Sequence, residues 1–204
     1  MTLFKPCALF VLLAFCLFQA TASAEDQSLW GFGVRGGTWS IPDSLLGQFL
    51  DEHPSVDGET FGIEFRYFGT GGPTGIFSVV YALDYGSLSG SGTWIADEEE
   101  PEDARFGKAA LDMLALTVNF LWDIMPEWRV HPYLGLGVGI AYADGKIPGE
   151  EGSEDENDSY KGPAPVLNIP IGLKARLTDS ITVNLEALWF TAGLVLGGGA
   201  AISW

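Results

Sequence analysis

The sequence predicts an all-β chain, an eight-stranded antiparallel up-and-down transmembrane β-barrel. Eight segments alternate apolar and small or polar residues with a period of two. Their apolar faces carry no charge, and the connections between them run long and short by turns until the last. A strand sends successive side chains to opposite faces, so each segment is read as one face toward lipid and one toward a lumen. Trp128–Tyr142 shows it most fully. Trp128, Val130, Pro132, Leu134, Leu136, Val138, Ile140 and Tyr142 make one face, and Arg129, His131, Tyr133, Gly135, Gly137, Gly139 and Ala141 make the other. Bulk outside with small or polar groups inside is what a membrane-spanning barrel requires.

Residues 1–24 are read as a secretory signal peptide and residues 25–204 as the barrel domain. Lys5 gives a positive start, Cys7–Phe18 is an apolar core, and Ala22-Ser23-Ala24 is a small-residue cleavage site. Both cysteines leave with that segment, so no disulfide is expected. Lys5 is the only charged side chain within it, so the net charge of −17 becomes −18. Such acidity argues against nucleic acid as a partner.

The strands follow in order. Trp30–Trp39 sets Trp30, Phe32 and Val34 against Gly31, Gly33, Arg35 and Gly37, and Phe61–Phe68 sets Phe61, Ile63, Phe65 and Tyr67 against Gly62, Glu64 and Arg66. Ile76–Tyr85 has an outer row from Phe77 to Tyr85 over Ser78, Val80, Ala82 and Asp84. Leu111–Asp123 opposes Leu114, Leu116, Val118, Phe120 and Trp122 to Met113, Ala115, Thr117, Asn119 and Asp123. Trp128–Tyr142 is fifth. Val166–Leu177 puts Asn168, Gly172, Lys174 and Arg176 inside, the segment Ile181–Trp189 puts Thr182, Asn184 and Glu186 inside, and the glycine-rich Gly193–Trp204 closes the set. Most reach the roughly 9–11 residues that a spanning strand needs.

Ser40–Thr60, Ser87–Lys108 and Asp144–Pro163 are read as long polar extracellular loops. Gly69–Gly75, Met125–Glu127, Thr178–Ser180 and Thr191–Ala192 are read as short turns. Trp30, Tyr85, Trp122, Trp128, Tyr142, Trp189 and Trp204 are the expected membrane-interface aromatics, with Phe68 and Phe77 approaching the same level.

The strand charges all fall on the inner face. Five cations (Arg35, Arg66, Arg129, Lys174, Arg176) nearly balance four anions (Glu64, Asp84, Asp123, Glu186), and His131 joins them. An eight-stranded barrel is just wide enough for side chains to fill, so these groups are expected to form an interior polar network. A narrow ion path is the alternative. The inner glycines leave room for larger neighbours such as Trp39, Tyr133 and Met113. Two acidic runs, residues 97–103 and 150–158, suit solvated loops or weak divalent-cation binding. No other metal site, no cofactor and no catalytic residue is expected.

At HPYLGLGVGIAY (residues 131–142), at the signal end Ala24 and at the terminal LGGGAAISW (residues 196–204), the chain resembles the small outer-membrane barrel superfamily of OmpA transmembrane domains, OmpX-like and opacity-type proteins. The resemblance implies insertion by the barrel-assembly machinery through the last strand, where family members end in Phe and this chain has Trp204. It also implies an outer membrane with lipopolysaccharide as its surroundings, and no peptidoglycan-binding domain after Trp204. Some barrels in such membranes are lipid A deacylases, but those need a lipid-facing histidine, and His131 falls on the inner face. The expected role is therefore non-enzymatic, structural or surface-interacting through the long acidic loops. A narrow channel or a transporter of small apolar ligands, and a lipid A-modifying enzyme, stay open as alternatives.

Overall fold

A computed structural model describes residues 30–69, 72–96, 105–148, 157–191 and 193–204. The signal peptide and almost all of the two acidic runs lie outside those residues. Nine strands are present among them: β1 (Trp30–Ile41), β2 (Leu50–Glu52), β3 (Val56–Phe68), β4 (Phe77–Ala96), β5 (Arg105–Asp123), β6 (Val130–Pro148), β7 (Asn157–Arg176), β8 (Ile181–Phe190) and β9 (Gly193–Ser203). A single turn of helix, α1 (Asp43–Leu46), separates β1 from β2.

Eight of these strands close into a ring. Each of the consecutive pairs from β3 to β9 is antiparallel, β1 pairs with β3, and β1 also pairs with β9 from Gly31↔Ser203 to Ser40↔Leu194. In the lower ring closure leaves no free sheet edge, which satisfies the backbone of a chain immersed in lipid. β2 lies outside the ring and pairs only with the far end of β4, Leu50 opposite Ala96.

Solvent exposure follows the alternation. Leu134, Leu136, Val138 and Ile140 of β6 stand on the outer surface, while His131, Tyr133 and Ala141 are buried. Aromatics crowd the outer face near one rim: Trp30 stacks on Phe65 at 5.0 Å between ring centroids, and Phe77 meets Trp122 at 5.6 Å. Trp128, Tyr142, Tyr85, Trp189 and Trp204 are also exposed on the outside. Phe68 turns inward and is buried.

The polar stretches read as long loops are largely strand. β4 to β7 run 19 or 20 residues each, against roughly 9–11 for a span, so their upper halves stand clear of the membrane as paired arms. Ser40–Thr60 contains the end of β1, α1, β2 and the start of β3. The turn after β5 is longer than Met125–Glu127: β6 starts at Val130, and Trp128 and Arg129 lie in the turn. β8, β9 and β1 have 10, 11 and 12 residues. The wall is therefore tall on one side and low on the other.

Candidate functional site

The lumen is filled in layers. Nearest the short turns, Lys174 on β7 donates from Nζ to both carboxylate oxygens of Asp123 on β5, at 2.5 and 2.7 Å, with both side chains about 3% exposed. His131 sits beside them, fully buried, its Nε2 3.6 Å from Asp123 Oδ1. Its Nδ1 lies 3.0 Å from the Trp128 carbonyl, an acceptor, so Nδ1 carries the proton. Next come Arg66, donating to Glu64 two residues earlier on β3 at 2.5 Å, and Tyr133, whose ring lies 5.0 Å from the Lys174 ammonium.

The Tyr133 hydroxyl donates to Glu186 Oε2 at 2.6 Å and accepts from Asn184 at 3.2 Å. The space for this ring is made by glycine. Tyr133 pairs across strands with Gly172, and a Cβ at 172 would lie 2.8 Å from the tyrosine ring. Higher still, Arg35 on β1 reaches over Gly62 of β3 to Asp84 on β4, donating from Nε at 2.7 Å and from a second nitrogen to the other oxygen. Arg35 also stands 4.0 Å from Glu186. Both charged partners are thus met by bidentate or shared contacts, the arrangement that offsets the desolvation of buried ions.

Two predicted members of this network sit elsewhere. Arg129 is exposed, and its guanidinium donates to the carbonyls of Arg176 and Leu177 at 3.1 and 3.0 Å. Arg176 returns the contact, donating to the Glu127 carbonyl at 2.9 Å. Together they staple the β5–β6 turn to the end of β7 at the rim. The inner-face assignment fails for Arg129 because it precedes Val130, where the strand alternation begins.

Above Arg35 and Asp84 the lumen turns apolar. Trp39 and Phe190 meet edge to face at 5.6 Å, and both are buried in a cluster that includes Leu88, Trp94, Val166, Leu188 and Val195. Between this layer and the ionic one remains a void of about 30 Å³, room for little more than one water. Over the apolar layer, between the arms, lies a cavity of about 420 Å³. Leu46, Leu50, Val56, Leu88, Trp94 and Leu111 are among the residues that line it.

Reading the sequence for a membrane pattern missed this upper cavity, although a signal for it is present. From Ser87 to Trp94 the alternation continues with its sense reversed: Ser87, Ser89 and Ser91 are exposed, while Leu88, Gly90 and Trp94 are buried. Bulk inside and polar outside is the pattern of a barrel wall in water. Tyr133 was noted as a space-filling residue but not as a hydrogen-bonding member of the network. It is the one large aromatic among the small inner residues of β6.

Among the described residues no group of three or more His, Cys, Asp or Glu side chains is placed to hold a metal ion. No helix among them is long and apolar enough to cross a membrane, which says nothing of crossing by strands.

The sequence matches no protein-family model and no curated protein. Solved structures do resemble it. Neisserial surface protein A aligns over 88% of this chain and 100% of its own, at 13% identity and a TM-score of 0.54. The outer membrane protein OprG from Pseudomonas aeruginosa aligns over 89% of this chain and 99% of its own, at 13% identity and a TM-score of 0.55. At such identities the likeness is one of architecture: the chain has the fold of the small eight-stranded outer-membrane β-barrels.

Proposed function

We propose that this chain is a non-enzymatic outer-membrane barrel whose lumen is closed and whose work is done at its extracellular end. The observation that carries this reading is the filled lumen. Inside it Lys174–Asp123, Tyr133–Glu186 and Arg35–Asp84 each join strands two apart, Arg66 pairs with Glu64 along β3, and the Trp39–Phe190 layer caps them. An ion entering from either end would have to break buried, hydrogen-bonded charge pairs, which is costly in a low-dielectric interior. The tall arms built from β4 to β7 offer most of the surface outside the membrane, and the acidic runs adjoin them in sequence.

Lipid-modifying chemistry at His131 finds no support, since the imidazole is fully buried behind the barrel wall and touches no lipid-facing surface. Contact with outer-membrane lipid and lipopolysaccharide, insertion through the β9 end by the assembly machinery, and weak divalent binding at the acidic runs belong to the same reading.

Conductance across planar bilayers tests it. The wild-type protein should show no stable ion steps, while Trp39→Ala combined with Tyr133→Ala, which removes both large lumen plugs, should show a leak. Regular wild-type steps would replace this reading with that of a narrow channel.

A further inference from the structure

We propose that the cavity between the extracellular arms is a binding site for an uncharged, apolar small molecule arriving from outside the cell. It rests on the extracellular placement of the arms given above, and adds a ligand class to it.

The site is built rather than incidental. Leu88 and Trp94 come from β4, Val56 from β3 and Leu111 from β5, all on paired strands. Leu46 from α1 and Leu50 from β2, the short strand paired with the far end of β4, complete the lining. α1 has only four residues and no side-chain cap, so its own helical propensity holds it weakly. Its packing against the apolar cluster fixes it instead.

The volume, about 420 Å³, falls within the roughly 300–1,000 Å³ of small-molecule sites.

The chemistry of the walls selects the ligand. Apolar cavities hold apolar guests because water gains too few hydrogen bonds there. Two polar residues border this one. The Tyr160 hydroxyl already donates to the Pro163 carbonyl at 2.9 Å, and Lys146 is exposed to water. A charged ligand would therefore lose its hydration without a partner.

Position selects the source. Leu88, Trp94 and Leu111 lie beyond the outward-facing Tyr85 and Leu114 of the same strands, above the level of lipid tails. Below, the Trp39–Phe190 layer makes the cavity blind. At its edge Phe49 is 68% exposed, an apolar ring held in water until something apolar covers it. The site captures its ligand; it offers no passage through the barrel.

The test uses the full protein in detergent-free lipid nanodiscs, because detergent tails would themselves compete. N-phenyl-1-naphthylamine, an uncharged aromatic probe, is titrated with empty nanodiscs subtracted. Wild-type protein should give saturable fluorescence enhancement, one probe per chain, displaced by another uncharged hydrocarbon and not by its carboxylate analogue. Ala109→Trp, which places an indole in the cavity, should weaken binding at least tenfold. Leu50→Glu on β2, outside the ring, should do the same if the tryptophan disturbs folding, and Leu136→Ala on the lipid face should change nothing. A signal that fails to saturate, or that survives both cavity variants in protein shown to be folded, overturns the proposal. A conducting lumen would overturn the closed-barrel reading and leave this result standing.

Discussion

At Asp123 and Lys174 two opposite charges share a site almost without water, and their value lies in being present together. Removing one partner of such a pair leaves a buried charge uncompensated, at a cost of about 3–5 kcal/mol, whereas replacing both with neutral groups of similar shape is often tolerated. Lys174→Met is therefore expected to lower stability by about 3–5 kcal/mol. Adding Asp123→Asn should recover most of it. Urea unfolding in lipid vesicles, followed by tryptophan fluorescence, reads both. Equal stability of Lys174→Met and wild type would mean that the pair is solvated. Alternation along strands is enough to put Asp123, Lys174 and the other inner charges in the lumen. Their pairing was not legible, because Arg35 and Asp84 sit on β1 and β4 with β3 between them. The register of two neighbouring strand pairs, Arg35↔Gly62 and Gly62↔Asp84, brings them together over a residue with no side chain. Arg129 shows the limit of the rule, since alternation ends where the strand does, beside a turn that puts Met125 at φ 56°.

The arms obey a different rule from the spans beneath them. In lipid the outer face must be apolar, and in water it must be polar, so one continuous strand reverses its pattern on crossing the interface. β4 does so between Tyr85 and Leu88. A search for apolar outer faces therefore stops at the membrane surface and reads the remainder as loop, although strand pairing continues from Ser87↔Asp112 to Trp94↔Arg105. On the β6–β7 arm, Asp144 and Lys161 are cross-strand neighbours, joined at 2.7 Å and exposed. The Lys161 hydrogen bond and charge hold the Asp144 carboxyl below its ordinary range, and the same contact raises Lys161. A depressed carboxylate stabilises the arm above its unfolded value near pH 4, and that contribution fades as pH falls through the lower folded value. The raised lysine contributes below its ordinary value and loses that share only as pH rises past the folded one. Carbon-detected NMR titration should find Asp144 titrating below ordinary aspartates, and Lys161→Met should return it toward them. An unchanged Asp144 midpoint in that variant would mean that the cross-strand contact does not persist in solution.

For the whole molecule, what separates this barrel from a soluble one is the medium its lower outer face expects. The interior alone does not decide it, since a soluble barrel could also enclose Tyr133, Glu186 and Arg35. The outer surface does, because the same substitution should carry different costs at two heights. Val138 stands outward midway along β6, between the turn at Trp128 and the rim at Tyr142. An arginine there would face the bilayer midplane at a cost of about 2–4 kcal/mol. Ser89 stands outward on the β4 arm, above Tyr85, and there an arginine would meet water. Ser89→Arg should accordingly change stability by no more than the usual ±0.5 kcal/mol of surface replacements. Both variants can be followed by the fraction of protein that keeps a distinct unboiled mobility in SDS after refolding into vesicles across a urea series. A lipid-embedded barrel requires a loss for Val138→Arg and none for Ser89→Arg. Equal, small effects at both positions would mean that the apolar belt faces no membrane, and the charge-free outer face would need another occupant.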